Sequence, residues 1–192
     1  MFSKLVVALI AATTAIAAPL EAPLEARQAP STYFTPSATF NYNTRDGAIY
    51  PSGWGQISKY TGNNGNDITT LLTFTYPEGV SGKKCQFFFY ADGSTYASGS
   101  KKIDVFTSNK PAPAGGSPGW GAGGPGNQRN NNVGRLSVPA GGYATWDATY
   151  GAYLTSPTDC KAPGTVEGIE LVGVYDNDYV SFNPTSARIA YN

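Results

Sequence analysis

Ile68-Thr-Thr-Leu-Leu-Thr-Phe-Thr-Tyr76 is a run in which every position is β-branched, aromatic or leucine. Such side chains fit a pleated, half-buried surface, and many of them lose rotamer freedom in a helix. The run therefore reads as a strand. Thr61-Gly-Asn-Asn-Gly-Asn-Asp67, just before it, is a turn by composition. Working outward, short segments of the same character recur at 37–42 and 55–60 before it. After it they recur at 84–90, 103–107, 132–138, 142–146, 169–174, 179–182 and 187–191. Segment 84–90 contains Phe87-Phe88-Phe89-Tyr90, apolar on both faces, which predicts a central strand covered on both sides. Asp92-Gly93 then signals a turn. A hairpin centred there would gather Lys83, Lys84, Lys101 and Lys102 into a cationic patch. Downstream of the first eighteen residues no long stretch holds a helical period. The expectation is an all-β protein, a single antiparallel β-sandwich with jelly-roll-like connections.

Composition agrees and excludes much chemistry. Of 192 residues, 23 are Gly and 14 Pro, which suits many turns and not a helix bundle. There is no histidine, so Ser-His-Asp and Cys-His nucleophile systems and His-ligated metal centres are absent. Thirteen basic residues balance thirteen acidic ones. Nothing in that balance points to nucleic acid or to an anionic membrane surface. No cofactor and no metal site is expected.

The amino terminus reads as processing signal. Lys4 is followed by an apolar run from Leu5 to Ala18 that closes on Ala15-Ile16-Ala17, a small-x-small cleavage pattern. Residues 1–18 are expected to be a signal peptide, too short to span a bilayer. Pro19-Leu-Glu-Ala22 is repeated as Pro23-Leu-Glu-Ala26 before Arg27-Gln28, so 19–27 is a candidate pro-segment or an N-terminal linker. Residues 28–192 suit one domain in length. No unblocked Asn-x-Ser/Thr sequon occurs, since Pro184 occupies the middle of Asn183-Pro-Thr185.

Cys85 and Cys160 are the two cysteines. In an oxidising compartment one disulfide between them is the economical reading. It would close 75 residues of chain, a constraint worth roughly 4 kcal/mol by loop-closure entropy. Two thiols without imidazole or a Cys-x-x-Cys spacing make neither a metal site nor a redox centre.

Segment 109–132 breaks the strand pattern with a long Gly-, Pro- and Asn-rich loop around one large ring, Trp120. Loops of that length in a compact domain are usually functional or without fixed structure. Trp120 is a candidate stacking platform for a sugar or a partner surface, or else a plug over one end of the sandwich. Trp146, Tyr150 and Tyr153 form a second candidate ligand-binding group, equally readable as covers of the core. Gly121-Ala-Gly123-Gly-Pro-Gly126 matches a dinucleotide fingerprint in form only, having no strand before it or helix after it. Asp176-Asn177-Asp178 is an oxygen-rich turn that either holds Ca²⁺ or simply tips a hairpin. Carboxylates are the remaining acid/base groups, chiefly Glu78, Glu167 and Glu170 with Asp92, Asp104 and Asp147. None sits in a recognisable glycosidase setting, and no catalytic residue is assigned.

Cys85-Gln-Phe-Phe-Phe89, Ile103-Asp-Val-Phe-Thr-Ser108, Asn130 to Leu136, Cys160 and above all Gly168 to Phe182 (Gly-Ile-Glu-Leu-Val-Gly-Val-Tyr-Asp-Asn-Asp-Tyr-Val-Ser-Phe) carry a family resemblance. Over residues 37–191 the chain resembles the fungal domain named for the C-terminal region of the But-two "ubiquitin 3 binding protein". The resemblance implies a small secreted fungal protein with one disulfide, and it brings no catalytic residues with it. Its name implies a ubiquitin-like-activating enzyme as partner.

Together these readings lead to a secreted, non-enzymatic β-sandwich protein. It would act outside the cell or at the cell wall, as a monomer, binding polysaccharide or a protein on a host or substrate surface. The alternatives are a carboxylate-dependent glycan hydrolase and the ubiquitin-pathway binder.

Overall fold

A computed structural model describes residues 30–112 and 129–192. The expected signal peptide, the candidate pro-segment and Trp120 lie outside the described residues. Fifteen strands run in chain order with no α-helix among the described residues. They are β1 (Tyr33–Phe34), β2 (Ala38–Asn43), β3 (Ile49–Pro51), β4 (Gly55–Lys59), β5 (Ile68–Thr75), β6 (Lys84–Ala91), β7 (Tyr96–Ser98) and β8 (Lys102–Ser108). Next come β9 (Arg129–Ser137), β10 (Gly142–Tyr143), β11 (Thr145–Thr149), β12 (Thr158–Asp159), β13 (Val166–Gly173), β14 (Asp178–Phe182) and β15 (Ala187–Tyr191).

The strands pair antiparallel into two sheets that form a curled sandwich. The smaller sheet has the order β1-β15-β6-β10, with β12 also on β6. The larger runs β11-β9-β8-β13-β5-β4-β14-β7 and forks at β5. There β4 meets only the first residue of β5 (Ser58 opposite Ile68), while β2 accompanies it from Ile68 to Thr73. The opening run of the sequence is thus the hub of the large sheet.

Period-two alternation decides what lies between the sheets. From the large sheet, Leu72 and Phe74, Ile103 and Val105, Ile169 and Leu171 face inward; from the small one, Phe87, Phe89 and Ile189 meet them, all buried. Aromatic pairs tie the layers together. Phe89 meets Phe182 edge-on at 5.0 Å, and Phe74 meets Phe87 edge-on at 6.4 Å. Each such contact adds about 0.5–1.5 kcal/mol beyond simple burial. Gly55, opposite Phe182 in the β4–β14 register, leaves room for that ring. A Cβ there would lie 2.1 Å from Phe182 Cζ.

Two local expectations change. Phe88 and Tyr90 are not covered by a second layer; they are half-buried on the outer face of β6, under Tyr143 and Arg188. Nor do β6 and β8 form a hairpin. Asp92 turns the chain, accepting from Ser94 N at 2.9 Å and from Ser94 Oγ at 2.6 Å, which holds its carboxyl below the usual range. The chain then crosses to the other sheet, where β7 pairs with β14. Lys83 and Lys84 therefore do not meet Lys101 and Lys102 across a hairpin. Lys84 pairs with Asp159 at 2.7 Å, and Lys102 bridges Ser137 and Asp147. Inward-facing apolar residues on both β6 and β8 favour opposite sheets over a flat two-stranded ribbon.

The expected bridge is formed: Cys85 and Cys160 are disulfide-bonded with Cα atoms 4.9 Å apart. It fastens β6 to the chain just after β12, where Cys160 N also donates to Lys83 O at 2.9 Å.

Candidate functional site

β8 and β9 lose register at Val105/Phe106 and again at Phe106/Ser108. Bulges re-aim side chains and often accompany sites. Beside them opens a cleft of about 310 Å³ lined by Thr107, Asn131, Asn132, Val133, Tyr150, Gly151 and Tyr153. One wall is the β8–β9 ladder, where Asn131 N donates to Thr107 Oγ1 at 3.2 Å. The other wall is the segment that leaves β11.

That second wall is held from several sides. Tyr150 N donates to Val133 O at 3.0 Å, and Phe87 N donates to Leu154 O at 2.8 Å. Gln86 Nε2 donates to Thr155 O at 2.9 Å. Leu154 is buried with φ 60°, a left-handed conformation that costs a bulky residue about 1–2 kcal/mol. The surrounding hydrogen bonds and the disulfide at Cys160 oppose that cost.

Behind the wall lies a buried carboxylate. Glu167 is 3% exposed. Its position follows from alternation, since it shares the interior face of β13 with Ile169 and Leu171. Tyr76 Oη donates to Glu167 Oε2 at 2.6 Å, and Lys161 Nζ donates to Oε1 at 3.0 Å. Tyr153 Oη also donates to Oε1, while Lys161 Nζ stands 5.4 Å from the Tyr153 ring centroid. Burial, and then the charge of Glu167, push the hydroxyl pKa of both Tyr76 and Tyr153 well above the usual tyrosine value. Both phenols stay protonated and donate at neutral pH. Tyr153 is thereby locked at its hydroxyl end, whereas Tyr150 is 59% exposed at the rim.

The second buried glutamate has a different task. Three residues from Glu167 on the same strand, Glu170 faces the outside of the large sheet. It is fully buried there, gripped by Arg129 through two bonds of 2.8 and 2.7 Å and by Thr69 Oγ1 at 2.7 Å. Arg129 also lies over Phe106, 4.7 Å from its ring centroid. On the same outer face Ala112 packs with Phe40, Tyr42 and Leu71 while its carbonyl accepts from Thr73 Oγ1 at 2.7 Å. Ala112 and Arg129, the described residues on either side of 113–128, thus both lie at this face. Glu167 and Glu170 point to opposite sides of β13 and do not form a carboxylate pair across one cleft.

Among the aromatic candidates, the structure brings Tyr150 and Tyr153 together. Trp146 is separate. It is half-buried against the core, 6.5 Å from Phe87, and it presses on Gly134, where a Cβ would lie 2.8 Å from the indole. Asp147 beside it belongs to a surface bridge with Lys102 and Ser137; burial opposes its ionisation, but those partners keep its pKa below the usual range. Asp178 of the oxygen-rich turn is buried and accepts from Ser100 N at 2.5 Å, Ser100 Oγ at 2.7 Å and Tyr175 N at 3.0 Å. Its oxygens are occupied in tying β14 to the turn before β8.

Sequence pattern alone does not group Glu167, Tyr76 and Lys161 as a unit. Its signal was present, though: in Val166-Glu-Gly-Ile-Glu-Leu171 one glutamate must share a face with Ile169 and Leu171, and an interior carboxylate requires partners.

Neither protein-family models nor curated protein sequences match this chain.

Proposed function

We propose that the chain is a secreted binding protein whose Tyr150–Tyr153 cleft receives a stretch of neutral polysaccharide, at the fungal cell wall or on a substrate surface. The observation that carries this reading is the pairing of a largely exposed ring, Tyr150, with a cleft of amide and hydroxyl groups from Thr107, Asn131 and Asn132. A sugar ring offers a C–H face that stacks on an aromatic and hydroxyls that exchange bonds with amides. An exposed tyrosine on a stapled wall loses little conformational freedom on binding. The cysteine bridge fits secretion, and no described helix is long and apolar enough to cross a membrane.

The test uses the full-length chain expressed with its leader in a secreting yeast. Protein recovered from the medium is applied to insoluble wall glucans, chitin and a glycan array. Retention that drops about tenfold in Tyr150→Ala, the scale of losing one stacked ring, supports the reading. Absence of retention on every polysaccharide would sink it.

A further inference from the structure

We propose a second, anion-selective carbohydrate site on the outer face of the small sheet, suited to a carboxylated sugar chain. It rests on the carbohydrate reading for the kind of polymer but uses no residue of the Tyr150 cleft. Alternation on β6 sends Lys84, Gln86, Phe88 and Tyr90 outward, and on β15 it sends Arg188 and Ala190 to the same face. Ala190, opposite Gln86, is the small residue in that array. The hollow it leaves is part of a groove of about 490 Å³. Gln86, Phe88, Lys83, Lys84, Tyr191 and Pro157 are among the residues that line it.

Charge selects the occupant. Lys83 Nζ lies over the Tyr191 ring at 4.9 Å, and Arg188 is sandwiched between Tyr33 at 4.5 Å and Tyr90 at 4.9 Å. Arg188 gives one donor to Thr185 O at 2.8 Å. Neither cation has a carboxylate partner among the described residues. Asp159 is paired with Lys84 at this face, and the pair is exposed; an ion pair so open to water yields readily to a competing carboxylate. Lys83, just before β6, lines one end of the groove, and Arg188 stands opposite Phe88 at the other, beyond the lining itself; the two positions are five residues apart along the strand direction, roughly 16 Å at strand rise. Two cations at that spacing, with rings and an amide between them, match an extended polymer bearing carboxylates at intervals. A compact anion would engage only one end. A neutral chain would leave both cations without new partners.

The secreted full-length protein is titrated with a soluble oligogalacturonate and with its methyl ester, which keeps the backbone and removes the charge. The acid form is expected to bind at least about tenfold more tightly, with affinity falling as salt is raised. Lys83→Gln and Arg188→Gln are each expected to weaken it about fivefold, while Lys110→Gln, an exposed lysine elsewhere, leaves it unchanged. Tyr150→Ala is expected to lose neutral-glucan retention and keep oligogalacturonate binding, so the two sites fail separately. Equal binding of acid and ester overturns the proposal, as does equal weakening by Lys110→Gln. The acidic peptide 19–29 is titrated in parallel; its binding in place of the oligogalacturonate would assign the groove to the chain's own leader and overturn the proposal too.

Discussion

Tyr76 donates its phenolic hydrogen to Glu167 Oε2 at 2.6 Å, so the carboxylate that steadies the cleft wall is itself clamped from the residue that follows the hub strand β5. A charge in the sandwich interior is tolerable because Tyr76, Tyr153 and Lys161 all donate to it. The wall of the proposed binding cleft and the stability of the core thereby share one residue.

Replacing Glu167 by Leu removes the acceptor of two buried phenols, while the exposed Lys161 ammonium turns to water. The expected loss is about 2–5 kcal/mol, the cost of two buried donors left unsatisfied. Glu167→Gln, which keeps one acceptor, should lose less. Urea unfolding of the two variants checks both the sign and the order.

Alkaline pH tests the same cluster. The folded state keeps the Tyr76 and Tyr153 protons above the ordinary tyrosine value of 10.0. The unfolded chain releases them near that value. Their contribution is therefore complete below about pH 10 and is lost progressively above it. Unfolding free energy should fall above that pH, and less steeply in Tyr153→Phe. In a phenolate absorbance titration, Tyr153→Phe should leave the reversible amplitude below pH 11 unchanged, because in the wild type that group ionises only on unfolding.

The disulfide should matter twice. Cys85→Ala/Cys160→Ala is expected to lose about 4 kcal/mol, as closure of a 75-residue span implies. The chain freed by the change is also the strand pairing and turn that follow the Tyr150–Tyr153 wall. Glucan retention should therefore fall in the fraction that is still folded, measured by affinity electrophoresis with and without reductant.

Trp146 and Tyr150 should separate stability from binding. Trp146→Ala empties space between Phe87 and Gly134 and is expected to destabilise by about 3 kcal/mol. Tyr150→Ala is expected to change stability by less than about 0.5 kcal/mol. Thermal unfolding run beside glucan retention distinguishes the two.

Gly55→Ala places a methyl group 2.1 Å from the Phe182 ring. The ring must move within a filled core, and the expected penalty is about 1–3 kcal/mol. Gly53→Ala, with open space around it, provides the control.

What the chain declared by itself was local. Ile68-Thr-Thr-Leu-Leu-Thr-Phe-Thr-Tyr76 could only be a strand, and the spacing of similar segments made a two-layer β protein the economical outcome. The pairing of Cys85 with Cys160 followed from there being no other thiol. Alternation along β13 also contained the opposite facing of Glu167 and Glu170, because a strand repeats every two residues. Tertiary structure alone decided the rest. Whether β6 and β8 pair or part depends on which sheet buries each apolar face, and Asp92-Gly93 cannot report that. Tyr153 and Trp146 look alike in sequence, yet one closes on a carboxylate and the other on a glycine. Those partners come from β13 and β9, brought together by long-range pairing. Side-chain chemistry set the strands; only the packing of two sheets determined which rings would face solvent.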